Sequence, residues 1–182
     1  AEHHRLSADA RRAARAVGTA ARESVVFLQV EYAGSANIDL STAWYVAEDR
    51  LLTNAHNVDE ARSADTIAGY TLSGRRMTCE VVGLVETRSP DVALLATDVA
   101  GTPLPTADPG GLSAGDVLVQ VGHPGDMGSW VITAGEFLDW VGFDDAEDAF
   151  ETTVSGMGGN SGSPTLTLDG EVVGMLYAGR RP

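Results

Sequence analysis

The segment 159–164 reads Gly159-Asn160-Ser161-Gly162-Ser163-Pro164, and it is the most informative part of this chain. Small neighbours on a tight turn leave the Ser161 hydroxyl free to act as a nucleophile. The same turn directs backbone N–H groups to the place where an oxyanion would form. Clusters of Gly, Asn and Ser are more often ordinary turns, so this segment alone does not establish catalysis.

Two upstream motifs supply partners for the serine. Thr53-Asn54-Ala55-His56 follows an apolar run, and Asp91-Val92-Ala93-Leu94-Leu95 opens another. In the order His, Asp, Ser, the imidazole takes the proton of Ser161 Oγ and the carboxylate orients the imidazole. Each residue also has a structural interpretation, His56 as a satisfied structural histidine and Asp91 as the first residue of a strand. Together and in this order, the three motifs favour a catalytic triad of His56, Asp91 and Ser161.

The ordered set of motifs resembles the trypsin-like serine proteases, from about Ser24 to Gly179. Two segments favour the HtrA/Deg branch, namely Gly122-His123-Pro124-Gly125 and the following Val131-Ile132-Thr133-Ala134-Gly135. The other landmarks are the segments 41–46, 51–56, 91–95, 159–164 and 170–174. The resemblance implies an all-β fold of two six-stranded antiparallel β-barrels, with the catalytic cleft between them.

The chain divides into three parts on this interpretation. Residues 1–23 form an N-terminal helical extension, in which Ser7 is the predicted N-cap of an alanine-rich helix. Residues 24–105 form the first barrel with His56 and Asp91, and residues 112–182 form the second barrel with Ser161. Related proteases continue with at least one further strand. We therefore expect that the second barrel is C-terminally truncated, that its pocket is open on one side, or that another chain completes it. We expect no PDZ domain in this chain.

Short runs rich in Val, Thr, Tyr and Leu, separated by turn residues, predict the strands. These runs are 25–32, 40–47, 66–72, 76–86, 116–121, 130–140, 149–155, 165–168 and 171–177. The acidic segment 143–148 is predicted to be a solvated loop between two of them.

The charge balance is unusual, with 26 acidic residues against 12 basic ones, a net charge of −14 and no lysine. Such a surface repels nucleic acid and anionic membranes. It suits adaptation to high salt, where screening suppresses self-repulsion. The alternative is an ordinary acidic, soluble protein. No apolar run is long enough to span a bilayer, so we expect no membrane span.

Cysteine and histidine usage points away from disulfides and metals. Cys79 is the only cysteine, so no intrachain disulfide can form. Its alternating neighbours predict a small buried side chain on a strand. His56 and His123 show no metal-ligand spacing. We expect neither a metal nor an organic cofactor.

The resemblance also implies residues around the nucleophile. The N–H groups of Gly159 and Ser161 would form the oxyanion hole. The HtrA/Deg pattern often carries proline where this chain has Gly158, which predicts a hole that orders only on substrate binding. Ser155 would lie at the floor of the specificity pocket, where the absence of a carboxylate predicts cleavage after small or medium apolar residues. The strand with Tyr177, Ala178 and Gly179 would pair with the substrate backbone and shape that pocket.

The sequence therefore predicts a serine endopeptidase that acts through an acyl-enzyme on protein or peptide substrates, including unfolded ones. It favours an extracytoplasmic location over the alternative, a cytoplasmic one, and leaves the oligomeric state open. The main alternative is a protease-like binding or scaffold module with little catalysis. A serine esterase is a weaker alternative, because the α/β-hydrolase triad follows a different order.

Overall fold

The computed structural model describes residues 6–85, 90–126, 128–143 and 146–177. Its first element is the helix α1 (Ala8–Ala21). As predicted, Ser7 caps this helix, and its side chain accepts a hydrogen bond from the Ala10 N–H at 3.1 Å. The buried face of α1 carries only small residues, and a Cβ on Gly18 would lie 2.5 Å from the Ile132 side chain. The helix backbone can therefore pack closely against the second half of the molecule.

Six strands form a closed antiparallel barrel in the order β1-β2-β3-β6-β5-β4. They are β1 (Val25–Glu31), β2 (Ile38–Ala47), β3 (Arg50–Thr53), β4 (Thr66–Tyr70), β5 (Arg76–Leu84) and β6 (Ala93–Thr97). Leu28, Tyr45, Leu51 and Leu95 fill its interior and are almost fully buried. Cys79 joins this core as predicted, because burial alternates along β5.

The second half is a five-stranded antiparallel sheet in the order β11-β10-β7-β8-β9. Its strands are β7 (Val117–Gly122), β8 (Val131–Phe143), β9 (Ala146–Thr152), β10 (Pro164–Leu166) and β11 (Val172–Met175). The predicted all-β architecture with an N-terminal helix is confirmed. The first barrel has the predicted six strands, whereas the second is an open half-barrel in the part of the chain that the structure describes.

One local prediction is wrong at the β8–β9 hairpin. The acidic segment 143–148 was expected to be a loop, but β8 extends to Phe143 and β9 begins at Ala146. Phe143 pairs with Ala146, so the β8–β9 ladder extends into the predicted loop, of which Asp144 and Asp145 lie outside the described residues. Backbone pairing decides the structure here, and the acidic composition does not prevent it.

A shared core joins the two halves and the helix. Trp44 from β2, Val121 from β7, Leu166 from β10 and Ala21 from α1 pack in one buried cluster. This cluster fixes β2 of the barrel against the second sheet, next to the segments that carry the predicted site. No helix in the described ranges combines the length and the apolar character that a membrane crossing requires.

Candidate active site

The register of two neighbouring strands brings His56 and Asp91 together. β3 pairs with β6 in antiparallel fashion, with Thr53 opposite Ala93. The 3₁₀ turn Ala55–Asn57 follows β3, and Asp91 precedes β6, so the two residues meet at the same edge of the barrel. The Asn54 amide, which is buried, donates to the Asp91 carbonyl at 3.0 Å and holds the two chain segments together.

Asp91 binds His56 at two points. The backbone N–H of His56 donates to Asp91 Oδ1 at 3.0 Å, and His56 Nδ1 lies 2.5 Å from Asp91 Oδ2. The carboxylate accepts only, so the ring donates from Nδ1 and keeps Nε2 free as a base. The Asp91 side chain is 13% exposed and that of His56 is 46% exposed. The imidazole is therefore anchored on one side and open to solvent on the other.

The pair stabilises its own charged forms. The hydrogen bond to Asp91 raises the pKa of His56 above its usual value and outweighs the opposing effect of burial. Burial would raise the pKa of Asp91, but the bonds from the His56 side chain and backbone together hold it below its usual value. A carboxylate next to an imidazole that accepts a proton readily is the electrostatic arrangement that a general base needs.

Ser161 lies beside the turn that carries His56. Its carbonyl accepts from the Thr42 N–H at 2.9 Å and from the Asn57 side-chain amide at 3.2 Å. The structure thus brings the Ser161 backbone against the residue that follows His56. Within residues 6–85, 90–126, 128–143 and 146–177, no hydrogen bond joins the Ser161 hydroxyl to His56. Such bonds are often long without substrate and tighten in the complex.

The close approach of this segment to β2 requires Gly162. Its φ is +89°, and a Cβ there would lie 2.0 Å from the Thr42 carbonyl oxygen. The glycine that follows the serine in the sequence motif is therefore explained by packing as well as by turn geometry.

The predicted oxyanion-hole residues lie in a well-anchored turn. Gly159 has a φ of +88°, a conformation that favours glycine. The Gly158 carbonyl accepts from the Gly125 N–H at 2.8 Å, and the Gly159 carbonyl accepts from Thr42 Oγ1 at 3.0 Å. Within the described ranges, the N–H groups of Gly159 and Ser161 have no acceptor.

The predicted substrate-binding residues are only partly assembled by the described chain. Tyr177 lines a cavity of about 660 Å³ that lies beside Asp91 and has Phe150, Val154 and Met175 in its wall. Ser155 is exposed and is not among the lining residues of this cavity. Ala178 and Gly179 lie outside the described residues.

Sequence reasoning missed three side chains that contact the predicted site. Thr42 and Asn57 hold the Ser161 segment, and His123 hydrogen-bonds to Thr42. His123 lies in the Gly-His-Pro-Gly motif that the resemblance singled out, but the motif alone assigns it no partner. Thr42 lies in the predicted strand 40–47 and in the landmark segment 41–46, but neither pattern assigns it a partner.

Metal binding and thiol chemistry have no candidate group in the part of the chain that the structure describes. No cluster of three or more His, Cys, Asp or Glu side chains that could hold a metal occurs among the described residues. Burial raises the pKa of the Cys79 thiol to about 12, so the thiol stays protonated and is a poor nucleophile.

Comparison with known proteins gives a consistent result. The family model for the trypsin-like peptidase domain matches residues 41–175. Two similar relatives carry the name "periplasmic serine endoprotease DegP-like", qualified in both cases as probable. The one from Halomonas elongata is 32% identical over 142 residues, which is 75% of this chain and 28% of that protein. The one from Chlamydia muridarum is 27% identical over 141 residues, with the same shares of each chain.

This chain thus spans little more than a quarter of the length of these relatives. Among solved structures, the active form of the Rv3671c protease from M. tuberculosis is similar, with a TM-score of 0.72. That match covers 90% of this chain and 74% of the other at 23% identity, so it supports the fold.

Proposed function

The chain belongs to the family of trypsin-like peptidase domains, and we propose on this basis that it is a serine endopeptidase with His56, Asp91 and Ser161 as its triad. The proposal rests on the two hydrogen bonds that Asp91 accepts from His56. Asn57, the residue after His56, donates from its side chain to the Ser161 carbonyl and so brings the serine segment beside this pair. The names of the similar relatives, which describe serine endoproteases, support the peptidase part of the proposal.

The proposed reaction uses these groups in the usual order of acyl transfer. Ser161 Oγ attacks the scissile carbonyl carbon while His56 Nε2 takes the hydroxyl proton. The N–H groups of Gly159 and Ser161 stabilise the oxyanion. The C–N bond then breaks, and His56 gives its proton to the leaving amine. Water hydrolyses the acyl ester with His56 again as base, and this step restores Ser161.

A serine-directed fluorophosphonate probe tests the proposal directly. We expect stoichiometric labelling of wild-type protein at Ser161, located by mass spectrometry, and none in Ser161→Ala. Ser73→Ala is the matched control, because Ser73 is exposed between β4 and β5, where its hydroxyl contacts Thr71 Oγ1 at 2.9 Å. Wild-type protein that is folded but unlabelled from low to molar salt would favour the alternative, a protease-like binding module. The absence of a bond between the Ser161 hydroxyl and His56 in the described residues keeps that alternative in the test.

The proposed specificity is for small or medium apolar residues before the cleaved bond. Ser155, the residue predicted at the pocket floor, is not a carboxylate. The cavity beside Tyr177, which Ser155 does not line, has Phe150, Val154 and Met175 in its wall together with Asp91 and Asp108. A peptide library that varies the residue before the cleaved bond tests this. A profile dominated by Arg or Lys would refute it.

We further propose that the substrates include unfolded proteins and that the enzyme acts outside the cytoplasm, as the names of its periplasmic relatives suggest. Cleavage of one substrate protein in its native and its reduced, unfolded form measures the first point. Equal rates on both forms would contradict it. The net charge of −14 supports a third proposal, adaptation to high salt.

A further inference from the structure

A chain of hydrogen bonds leads from a buried histidine to the oxyanion-hole glycine. His123 Nδ1 lies 2.9 Å from Thr42 Oγ1, which donates to the Gly159 carbonyl at 3.0 Å. A threonine hydroxyl has one proton to donate, and the carbonyl can only accept. Thr42 must therefore accept from His123, which fixes the proton of the neutral ring on Nδ1.

The other ring nitrogen supports this assignment. His123 is fully buried, and in the described residues its Nε2 has no hydrogen-bond partner. Buried N–H groups without a partner are rarer in folded proteins than under-satisfied acceptors, which favours a lone pair on Nε2. Burial also lowers the pKa of His123 to about 3, so the ring is neutral in the range where a serine peptidase works.

Aromatic packing fixes the orientation of the ring. The His123 ring centroid lies 4.9 Å from that of Phe27 and 4.5 Å from that of Trp130, the latter in an edge-on arrangement. Trp130 is itself held, because its indole N–H donates to the Val25 carbonyl at 2.8 Å. The imidazole therefore cannot turn away from Thr42 without disturbing this packing.

The same loop holds the neighbouring peptide. Two residues after His123, the Gly125 N–H donates to the Gly158 carbonyl at 2.8 Å. In a trans peptide the C=O and N–H point in opposite directions, so the Gly159 N–H points away from Gly125. The Gly159 carbonyl is held by Thr42, and the Asn160 N–H of the same peptide donates to Met157 at 3.1 Å. Both peptides that flank Gly159 are thus fixed.

We propose that His123 is a positioning residue for the oxyanion hole: it orients the Thr42 hydroxyl, which holds the Gly159 carbonyl so that the Gly159 N–H stays available to the oxyanion. This proposal rests on the peptidase function proposed above. The sequence predicted that the flexible Gly158 allows the oxyanion hole to form only when substrate binds. The proposal differs, because the two peptides beside Gly159 are held in place before substrate binds. Donors that are already oriented stabilise an oxyanion most effectively.

Variants at Thr42 separate positioning from folding. Thr42→Val is nearly isosteric and removes the hydroxyl, whereas Thr42→Ser keeps it. Loss of one oxyanion donor costs about 10²–10³-fold in kcat, so partial misplacement should cost about 10–100-fold. The active enzyme is counted by fluorophosphonate labelling, and kcat is calculated per labelled site. We expect Thr42→Val to lose about 10–100-fold in this kcat, with KM changed less than about twofold. We expect Thr42→Ser to keep a kcat near that of the wild type. Tyr45→Phe is the control for the loss of a buried hydroxyl, because the Tyr45 hydroxyl lies inside the first barrel and donates to the Val99 carbonyl at 2.7 Å.

Variants at His123 provide the rescue. In His123→Asn the amide N–H can donate from about the position of Nδ1, whereas His123→Leu cannot donate. Both leave space beside Phe27 and Trp130, so their difference isolates the hydrogen bond. We expect His123→Asn to keep a kcat at least several-fold above that of His123→Leu. Equal values would overturn the proposal.

Nitrogen NMR of labelled histidine in the wild-type protein gives a readout that needs no activity. We expect the ring-nitrogen signals of one histidine to show a neutral ring protonated on Nδ1 between about pH 5 and 8. These signals should be missing from the spectrum of His123→Asn. A His123 protonated on Nε2 would overturn the proposal. An unchanged kcat per labelled site in Thr42→Val, with an active wild-type protein, would also overturn the positioning role. That outcome would leave the proposed peptidase function intact. Absence of labelling in the wild-type protein overturns that function and the positioning role together.

Discussion

The Asp91 carboxylate accepts two hydrogen bonds from His56, one from the backbone N–H to Oδ1 and one from ring Nδ1 to Oδ2. The first bond fixes the carboxylate relative to the chain, and the second fixes the ring relative to the carboxylate. A base that is oriented through its own backbone loses little conformational entropy when the substrate binds.

Replacing Asp91 with asparagine should remove most of the activity without unfolding the protein. The amide oxygen can still accept one bond, but its N–H₂ favours the wrong imidazole tautomer. We expect kcat to fall about 10⁴-fold, as in other triads that lose this carboxylate. Asp59→Asn is the matched control, because Asp59 raises the pKa of His56 by its charge alone. An Asp91→Asn variant that keeps a tenth of wild-type kcat would contradict the proposed role.

The pH dependence of kcat/KM should report the raised pKa of His56. The base must be neutral to take a proton, so a raised pKa moves the acid limb to higher pH. We expect activity to rise with pH through one ionisation above the ordinary histidine value of about 6.5. In Asp59→Asn this limb should move toward lower pH. The pKa of His123 is lowered to about 3, so His123 adds no second ionisation. An acid limb with an apparent pKa at or below 6.5 would argue against the His56–Asp91 pair described here. So would a limb whose slope shows two ionisations.

The sequence predicts those parts of the site that depend on neighbouring residues, and it misses contacts between residues far apart along the chain. His56, Asp91 and Ser161 each lie in a motif whose local pattern is informative, and antiparallel pairing of β3 with β6 explains how two of them meet. The contacts of Thr42 with His123 and Gly159 join residues 81 and 117 positions apart. Nothing in either local pattern indicates a partner, because only the docking of the barrel onto the second sheet creates these bonds.

The same distinction applies to the fold. Alternation predicts that Cys79 is buried and the cap motif predicts the start of α1, since both are properties of neighbouring residues. The start of β9 at Ala146 depends on pairing with Phe143, which the acidic composition of the segment conceals.

Substitution of Gly162 by alanine should destabilise the protein more than its φ alone explains. The added Cβ would meet the Thr42 carbonyl at 2.0 Å and Thr53 Oγ1 at 2.6 Å, and a backbone oxygen held in a strand cannot move away cheaply. Gly34→Ala is the control, because Gly34 has a φ of +75° and no neighbour within 4 Å of such a Cβ. We expect a loss of about 1 kcal/mol in the free energy of unfolding for Gly34→Ala. For Gly162→Ala the overpacking adds about 1–3 kcal/mol. Equal losses in denaturant titrations would show that the close approach to β2 is not rigid.

Salt should stabilise this protein if its acidic surface is an adaptation. In the described residues, arginine pairs with Asp9, Asp49 and Glu31. Over the whole sequence the 26 acidic residues outnumber the 12 basic ones by more than two to one. Their mutual repulsion weakens as the screening length falls from about 10 Å at 0.1 M to about 3 Å at 1 M. A gain of about 1–2 kcal/mol would raise Tm by roughly 2–8 °C in a domain of this size. The control is a variant with Glu23, Glu60, Glu80 and Asp169, all exposed, changed to their amides. It should melt higher than wild type at low salt and respond less to added NaCl, because it has less repulsion to screen. A wild-type Tm that stays flat or falls toward molar salt would mean that the carboxylates are already too far apart to repel, and the salt-adaptation proposal would then fail.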